Sequence, residues 1–369
     1  MVSDVQPVRP EYGGACLDGV IPALLAPAGD APAWVPRPVL GADQVVLLVV
    51  DGLGWDQLRE RESLAPTLAA MEGGPITSVA PSTTATALTS LTTSSAPAVH
   101  GVVGYRVRVP PDEVLNVLRW RTDAGDARLS VPPGGFQPRE PFGGAKPPVV
   151  TKAEFVETGF SMAHLAGSPI HGWRLASSLV THVGRLLRAG ERFVYGYYPG
   201  VDTVAHEFGF GPYYDAELVA ADRLVADLVD VLPPGAALAV VADHGQVDVG
   251  DSVIGLAPEV AALTSLLSGE GRFRWLHALP GDTGELERSA HDLYDGVAWV
   301  RTRSEAVAEG WFGGPLTPDV EARLGDVLLA AREPVAFLDQ ADTGEYRLRC
   351  RHGSLTRAEM LVPLLAARA

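Results

Sequence analysis

The chain has 369 residues, a formal net charge of −16 at pH 7 and 47% hydrophobic residues, enough for a sizeable buried core. An acidic surface repels phosphate backbones, so the charge argues against nucleic-acid binding, although bound metal ions would still admit a small anionic substrate. The two cysteines are too few for a disulfide framework, residues 1–30 show no signal-peptide pattern, and no apolar run is long enough to cross a bilayer. We therefore expect a soluble cytoplasmic protein without a membrane partner.

Three runs of β-branched and other apolar residues predict strands buried on both faces of a parallel sheet. They are Gln44–Val50, Phe193–Tyr198 and residues 237–242. Between the second and third runs, apolar residues recur at helical spacing over residues 218–229, and the Pro-Pro-Gly sequence starting at Pro233 ends this helix. Strand–helix–strand units of this kind predict an α/β fold.

The remaining segments carry weaker patterns. A helix is expected to begin just after Thr84, whereas residues 106–150 are rich in proline and glycine, which favours a lid-like surface excursion. Residues 266–345 predict a small α+β insertion before the chain returns to the main sheet. Its expected strands are 272–279, 298–302 and 334–338, and its expected helices are 282–294 and 319–331.

Metal-type side chains follow the three predicted strands. In open α/β sheets ligands bind beyond the carboxyl ends of the strands, so these side chains are expected to meet there. Three aspartates and three histidines would suit two sites of mixed nitrogen and oxygen ligation, as zinc accepts, and two metals can clamp an in-line displacement. The six candidates are Asp51, Asp202, His206, Asp243, His244 and His352.

Each candidate ligand also has a structural explanation. Asp51 can be a turn residue or a helix cap, and Asp202 with His206 can be a surface pair on one helical turn. A lone histidine such as His352 is more often a hydrogen-bonded core residue than a ligand. The pair Asp243-His244 at the end of a buried strand is harder to explain structurally. The joint occurrence of all six at predicted strand ends favours metal binding.

A nucleophile would complete such a site, and residues 81–93 are crowded with serine and threonine. Hydroxyl residues also serve as helix caps and small packing residues, so composition does not choose among them. A hydroxyl at a helix N-terminus lies where the dipole and free N–H groups favour an alkoxide and a bound phosphate. Thr83 and Thr84 are best placed for this role.

In their order along the chain, these motifs resemble the alkaline phosphatase superfamily, and specifically its type I phosphodiesterase/nucleotide pyrophosphatase branch. The resemblance covers most of the core, from about residue 43 to residue 365. The matching motifs are Asp51-Gly-Leu-Gly, Pro81-Ser-Thr-Thr84 followed by Pro97-Ala-Val-His100-Gly, Asp202-Thr-Val-Ala-His206, Asp243-His-Gly, and His352-Gly near the C-terminus.

The resemblance implies one catalytic domain over residues 1–369, folded as an alkaline phosphatase-like three-layer α/β/α sandwich with a mostly parallel central sheet. It also implies that Thr84 is the nucleophile and forms a phospho-threonine intermediate. Two divalent ions are expected, Zn²⁺ first and Mn²⁺ or iron as alternatives. The implied ligands are Asp202, His206 and His352 for the first ion, and Asp51, Asp243, His244 and Thr84 for the second.

One position departs from the family pattern. Nucleotide pyrophosphatases place an asparagine shortly after the His-Gly pair to hydrogen-bond the phosphoryl group, and here that position is Tyr105. A phenol can still donate a hydrogen bond, but its reach differs. Arg106 and Arg108 are candidates for contacting an anionic substrate, although a solvent-facing role fits them as well. We expect Tyr105 and Arg106 to bind the substrate.

The leading prediction is two-metal hydrolysis of a phosphodiester or pyrophosphate bond in a small-molecule phosphate ester, by a monomer or homodimer. A phosphomonoesterase or phosphonate hydrolase of the same superfamily is the alternative. A non-catalytic protein of this fold predicts a lost ligand, whereas all seven positions are filled. A dinucleotide-binding protein would need a third glycine after Asp51-Gly-Leu-Gly54, which is missing.

Overall fold

A computed structural model describes residues 6–342 and 347–369 and is built around a seven-stranded sheet. The strand Leu361–Arg368 runs antiparallel to both of its neighbours, and the other strand pairs of the sheet are parallel. The predicted mostly parallel sheet is therefore confirmed. In spatial order, the strands are Glu72–Thr77, Leu361–Arg368, Ala236–Val241, Gln44–Val50, Phe193–Tyr198, Val149–Lys152 and Ile170–Trp173.

The three strands predicted from apolar runs lie side by side at the centre of this sheet. Gln44–Val50 pairs in parallel with Ala236–Val241 on one side and with Phe193–Tyr198 on the other. Apart from Gln44, the residues of the first strand are all buried, because both faces of the sheet are covered. The shared direction brings the carboxyl ends of all three strands to one edge, where the site lies.

Helices pack in two groups, as expected for the predicted three-layer sandwich. Leu17–Leu25 and Gly159–His164 both contact Thr84–Thr93, whereas Pro66–Ala70 and Ala176–Arg188 both contact Pro212–Asp230. No helix in the described part of the chain is long and apolar enough to span a membrane. The other α-helices are Trp55–Glu60, Pro97–His100, Pro133–Phe136, Gly200–Phe208, Pro258–Ala261, Thr283–Tyr294, Arg303–Ala308, Pro318–Glu321 and Arg357–Met360, and the 3-10 helices are Arg37–Val39, Glu62–Leu64, Pro141–Gly144 and Ala153–Phe155.

The segment predicted as a lid-like excursion, residues 106–150, begins with a small four-stranded antiparallel sheet. Its last residues belong to the main sheet, through the strand Val149–Lys152, so the excursion ends earlier than predicted. The small sheet consists of Arg106–Val109, Glu113–Asn116, Arg121–Thr122 and Gly125–Asp126.

The predicted α+β insertion contains a second four-stranded sheet with its own buried apolar cluster. The helix predicted over 282–294 is confirmed as Thr283–Tyr294, and the strand predicted over 334–338 shortens to Ala336–Phe337, paired with Val253–Ile254. The predicted end of the insertion at residue 345 lies outside the described residues. The sheet has the order Thr264–Glu270, Phe273–Ala278, Val327–Ala331 and Ala298–Thr302.

The prediction of a helix over residues 319–331 is wrong. Only Pro318–Glu321 is helical, and Val327–Ala331 is an inner strand whose five residues are all buried. A short, continuous apolar run has no period that separates a buried helix from a buried strand. The neighbouring strands Phe273–Ala278 and Ala298–Thr302 decide the outcome, because they supply backbone partners on both sides.

Candidate metal centre and nucleophile

The metal-type residues are delivered by the carboxyl edge of the main sheet. Asp51 follows Val50 directly, and Asp243 lies two residues beyond Val241. The strand Phe193–Tyr198 leads through Pro199 into the helix Gly200–Phe208, which carries two of the predicted ligands one turn apart. These local patterns are the reason why sequence reasoning could find the set.

Asp51, Asp243 and His244 form one compact group, in which candidate ligand atoms lie within 4.8 Å of one another. His244 Nε2 is 3.3 Å from Asp51 Oδ1 and 3.5 Å from Asp243 Oδ2. Thr84 Oγ1 lies 3.1 Å from the same nitrogen. The structure thus brings together all four residues that were predicted for the second ion.

Asp202 is the centre of the other group. Its Oδ1 lies 3.2 Å from His206 Nε2 and 3.8 Å from His352 Nε2. Candidate ligand atoms of Asp202, His244 and His352 also lie within 4.8 Å of one another. The rings of His244 and His352 stack at a centroid distance of 3.5 Å. The two predicted ligand sets are therefore adjacent, with His244 between them.

The three histidines share one hydrogen-bonding arrangement, in which Nδ1 faces a backbone carbonyl. A carbonyl oxygen only accepts, so Nδ1 carries the proton and Nε2 presents its lone pair to the carboxylates. This is the arrangement by which proteins orient metal-ligating histidines. The pairs are His206 with Cys350 O at 2.6 Å, His244 with Gly245 O at 3.0 Å, and His352 with Ser82 O at 2.9 Å.

In each of the carboxylates of Asp51 and Asp243, one oxygen accepts a hydrogen bond and the other does not. The Tyr197 hydroxyl donates to Asp51 Oδ2, and the Gly52 N–H donates to Asp243 Oδ1 at 3.1 Å. Asp51 Oδ1 and Asp243 Oδ2 are buried without a hydrogen-bond partner among the described residues. Burial, joined by repulsion from neighbouring carboxylates, raises the pKa of both groups. Buried negative charge with unpartnered oxygens needs a cation, so the residues present fit divalent metal ions.

Thr84 is the first residue of the helix Thr84–Thr93, and Thr83 is its N-cap. Thr83 makes no side-chain cap bond, so the first turn retains N–H groups that can face an anion. The Thr84 hydroxyl, rather than that of Thr83, faces His244, and it lines both of the cavities described next. The residue pattern alone did not distinguish Thr83 from Thr84 as the candidate nucleophile, and only the alignment with the family motif selected Thr84.

Two cavities of about 220 Å³ each meet at Thr84, Leu118 and Asp202. We call the first the apolar cavity, because its lining includes the large apolar or aromatic side chains of Leu88, Leu118, Phe155, Phe160, Leu165, Tyr195 and Tyr197. We call the second the polar cavity; its lining residues include Tyr105, His206, Glu270, Arg351 and His352.

The two predicted substrate-binding residues are placed differently. Tyr105 lines the polar cavity, and its hydroxyl accepts a hydrogen bond from Asn116 Nδ2 at 2.6 Å. Arg106 lines neither cavity and does not face solvent. Its guanidinium is buried in ion pairs with Asp339, at 2.5 Å, and with Asp342. We therefore assign Arg106 a structural role, because a buried cation paired with two carboxylates has no charge left for a substrate.

Sequence reasoning missed the cavity residues Leu118, Glu270 and Arg351. Leu118 and Glu270 come from segments without a motif and carried no local signal. Arg351 directly precedes His352, so its position in the closing motif was the one available clue. Arg108, the second arginine predicted as a candidate for contacting an anionic substrate, pairs with Asp112 at 2.5 Å on the surface.

His100, from the second half of the nucleophile motif, lies apart from the metal groups in the interior. The Val102 N–H donates to its Nδ1 at 3.1 Å, so its protonated Nε2 donates to Ser90 Oγ at 2.8 Å. Burial, with a smaller contribution from Arg323, lowers the pKa of His100 to about 3. This histidine therefore stays neutral, and its hydrogen bonds tie the helix Thr84–Thr93 to the following turn.

Residues 45–355 match the model of the family described as type I phosphodiesterase/nucleotide pyrophosphatase. No curated protein matches the sequence significantly. Among solved structures, murine ectonucleotide pyrophosphatase/phosphodiesterase 5 aligns with a TM-score of 0.66 at 15% identity, over 88% of this chain and 87% of that one. An inactive variant of the murine protein has been solved in complex with AMP, with a TM-score of 0.65 at 16% identity and the same coverage. Phosphonoacetate hydrolase from Sinorhizobium meliloti 1021, in complex with phosphonoacetate, aligns with a TM-score of 0.63 at 21% identity over 89% and 91%.

Proposed function

We propose that this chain, which belongs to the type I phosphodiesterase/nucleotide pyrophosphatase family, cleaves a phosphodiester or pyrophosphate bond of a small molecule with two divalent metal ions and Thr84 as nucleophile. Membership of this family makes it a phosphoester hydrolase. The observation that carries the finer proposal is the meeting of three carboxylates and three histidine Nε2 lone pairs beside the Thr84 hydroxyl, at a helix N-terminus.

The proposed ligands divide as the two groups do, with Thr84 joining the second. Mixed imidazole and carboxylate ligation suits zinc, which we propose as the metal. When bound, the two ions supply positive charge at the attacking and leaving oxygens of an in-line displacement and lower the pKa of the Thr84 hydroxyl. The first ion would be held by Asp202, His206 and His352, and the second by Asp51, Asp243, His244 and Thr84.

Thr84 carries the covalent step in this proposal. Its oxygen attacks phosphorus and loses its proton to solvent, while the bond from phosphorus to the leaving oxygen breaks on the opposite side. The leaving group takes a proton from water and departs as an alcohol or a phosphate. Water then attacks the phospho-threonine, releases the phosphorylated product and regenerates the hydroxyl. The dipole and the free N–H groups of the helix that begins at Thr84 stabilise the charge on the phosphoryl oxygens.

The pair of cavities supports a substrate with substituents on both sides of phosphorus. The apolar and polar cavities meet at Thr84 and Asp202, where the phosphoryl group would lie. A diester or a pyrophosphate has two substituents and can occupy both cavities, whereas a simple monoester fills one. The aromatic wall of the apolar cavity suits an apolar or aromatic substituent.

Replacement of Thr84 tests the proposal. Thr84→Ala should abolish hydrolysis of bis(p-nitrophenyl) phosphate while metal content, measured by elemental analysis, stays near two ions per chain. Thr83→Ala is the matched control, since it removes a neighbouring hydroxyl from the same wall and should retain most of the activity. Acid quenching during turnover should trap phosphate on Thr84, detected by peptide mass spectrometry. Full activity of Thr84→Ala would refute the nucleophile.

A second candidate is a phosphonate hydrolase or phosphomonoesterase, and Arg351 is the observation that favours it. Of the described residues lining the two cavities, Arg351 is the only lysine or arginine, and it is 4% exposed. Glu270 lines the same cavity, and beside it the guanidinium can donate hydrogen bonds to an additional anionic group of a substrate, such as a carboxylate or a phosphate dianion. The phosphonoacetate hydrolase that shares the fold was solved with a substrate of this kind.

Turnover of three compounds separates the candidates. The leading proposal expects bis(p-nitrophenyl) phosphate to be cleaved much faster than p-nitrophenyl phosphate or phosphonoacetate. If p-nitrophenyl phosphate or phosphonoacetate is cleaved faster than the diester, the second candidate function replaces the leading proposal. In that case Arg351→Met should raise KM for the preferred anionic substrate and leave KM for the diester unchanged.

A further inference from the structure

One buried ion pair lies outside the ligand set and touches both loops that carry metal-type histidines. Arg272 and Glu359 are each 0% exposed, and their side chains meet in a two-pronged contact, with Nε to Oε1 at 2.7 Å and Nη2 to Oε2 at 2.8 Å. Arg272 comes from the turn between two strands of the insertion, Thr264–Glu270 and Phe273–Ala278. Glu359 lies in the short helix Arg357–Met360, which precedes the last strand of the main sheet.

Glu359 holds the two histidine loops from one side. Its Oε1 also accepts the Ser354 N–H at 3.0 Å, two residues after His352. Its backbone carbonyl accepts the Gly245 N–H at 2.8 Å, one residue after His244. Its second carboxylate oxygen accepts the Thr356 hydroxyl at 2.5 Å, so both oxygens have two donors each. The rings of His244 and His352, which these two loops carry, stack on each other.

Arg272 holds the same carboxylate from the side of the insertion. Nη1 donates to the carbonyls of Glu333 and Val335 at 2.9 and 2.8 Å, and Nη2 donates to Ala331 at 3.3 Å. With Nε and Nη2 also bonded to Glu359, all five N–H donors of the guanidinium are used. A lysine has three donors and cannot reproduce this planar arrangement.

The same region also reaches the nucleophile segment. Ser354 Oγ donates to the Ala331 carbonyl at 2.6 Å, and Ser82 Oγ donates to the Ser354 carbonyl at 2.6 Å. The Ser82 carbonyl in turn receives Nδ1–H of His352. A continuous set of hydrogen bonds therefore runs from the insertion through Ser354 to Ser82, two positions before Thr84, and from Ser82 to His352.

We propose that Arg272 and Glu359 are positioning residues, which fix the two histidine loops relative to each other and so set the affinity of the metal sites to which His244 and His352 contribute. A fully buried ion pair is often no more stable than well-packed apolar residues of similar volume, so stability alone does not explain it. A role in orienting the metal ligands does explain the ion pair, because replacing residues that hold metal ligands in place typically changes metal affinity 10–100-fold. On this view the insertion is a rigid brace for the site. The inference rests on the proposed metal centre.

The test uses the full chain, depleted of metal and titrated with Co²⁺, whose visible spectrum reports coordination directly. The double variant Arg272→Met/Glu359→Leu removes both charges together. It also leaves the Ser354 N–H and three backbone carbonyls without these partners, so urea unfolding of the metal-depleted form should show a folded chain of reduced stability. Its Co²⁺ affinity should fall by about 10–100-fold at one or both sites. Wild-type affinity at both sites in a folded double variant would overturn the inference.

A second variant and a control guard against general destabilisation. Glu359→Gln keeps the shape and an acceptor for Ser354, so it should fold and show a smaller loss of affinity in the same direction. Arg274→Met removes another 0% exposed arginine of the insertion, paired with Asp342, and should destabilise the chain while leaving Co²⁺ affinity unchanged. An equal loss of affinity in Arg274→Met would overturn the inference. A wild-type chain that binds no Co²⁺ would instead overturn the metal centre itself.

Discussion

Replacing His100 by asparagine should remove one distinct contribution to the acid sensitivity of the fold. His100 is 0% exposed, and protonation of its Nδ1 would break the hydrogen bond from Val102 and place a charge near Arg323, whose Nη1 donates to the Gly101 carbonyl at 2.5 Å. Asparagine keeps a short acceptor for the Val102 N–H but has no titrating group. The change therefore separates the charge of the imidazole from the local turn geometry.

The size of the effect follows from the pKa of His100, which falls from 6.5 to about 3 on folding. Between these two pH values the unfolded chain binds a proton at this position that the folded chain does not bind. The contribution of neutral His100 to stability is complete above pH 6.5 and is lost as the pH falls towards 3. Each pH unit in this window is worth about 1.4 kcal/mol, so a change from pH 7.5 to pH 5 costs about 2 kcal/mol.

Urea unfolding of the metal-depleted protein at pH 7.5, 6 and 5 measures this effect. Between pH 7.5 and pH 5 the wild type should lose about 2 kcal/mol more than His100→Asn, whatever the stability of the variant at neutral pH. Ser90→Ala is the matched control, because it removes the partner of Nε2 but leaves the imidazole to titrate, so it should retain the wild-type pH slope. Parallel stability curves for wild type and His100→Asn would refute the buried, neutral histidine.

Two further predictions concern residues that orient the carboxylates. Tyr197→Phe removes the hydroxyl that donates to Asp51 and should weaken the second metal site about 10–100-fold in a Zn²⁺ competition titration, with the first site unchanged. Gln246→Leu removes the amide that donates to Asp202 Oδ1 at 2.6 Å and should weaken the first site by a similar factor. Wild-type affinity at the second site in Tyr197→Phe, or at the first site in Gln246→Leu, would contradict the role assigned to that residue.

The cluster of candidate metal ligands was predictable because its signal is local in the sequence. Asp51, Asp202 and Asp243 each follow an apolar strand, and parallel pairing of these strands brings their ends together without further information. The hydroxyl-rich segment similarly indicated a nucleophile before the family register selected Thr84. The adjacency of the three strands was not itself predicted, but any parallel order keeps the carboxyl ends at the same edge.

The surroundings of the site were not predictable in the same way, because they depend on contacts between distant segments. Arg106 was expected to meet a substrate, yet it pairs with Asp339 and Asp342, more than 200 positions away in sequence. No local pattern announces such a pairing. The polar cavity is likewise assembled from separate segments, which contribute Tyr105 and Arg351.

The division between local and distant contacts also separates what the site does from what it acts on. The proposed metal ligands and nucleophile come from the main sheet and its first helical turns, and together they would provide phosphoryl-transfer chemistry that is independent of the rest of the substrate. Under the proposed function, discrimination among diester, monoester and phosphonate would depend on the walls, where Tyr105 stands in place of the expected asparagine and Arg351 lies in the same cavity as Glu270. Because the insertion forms part of these walls and also braces His352 through Arg272, a change that alters substrate preference there also risks weakening the metal site.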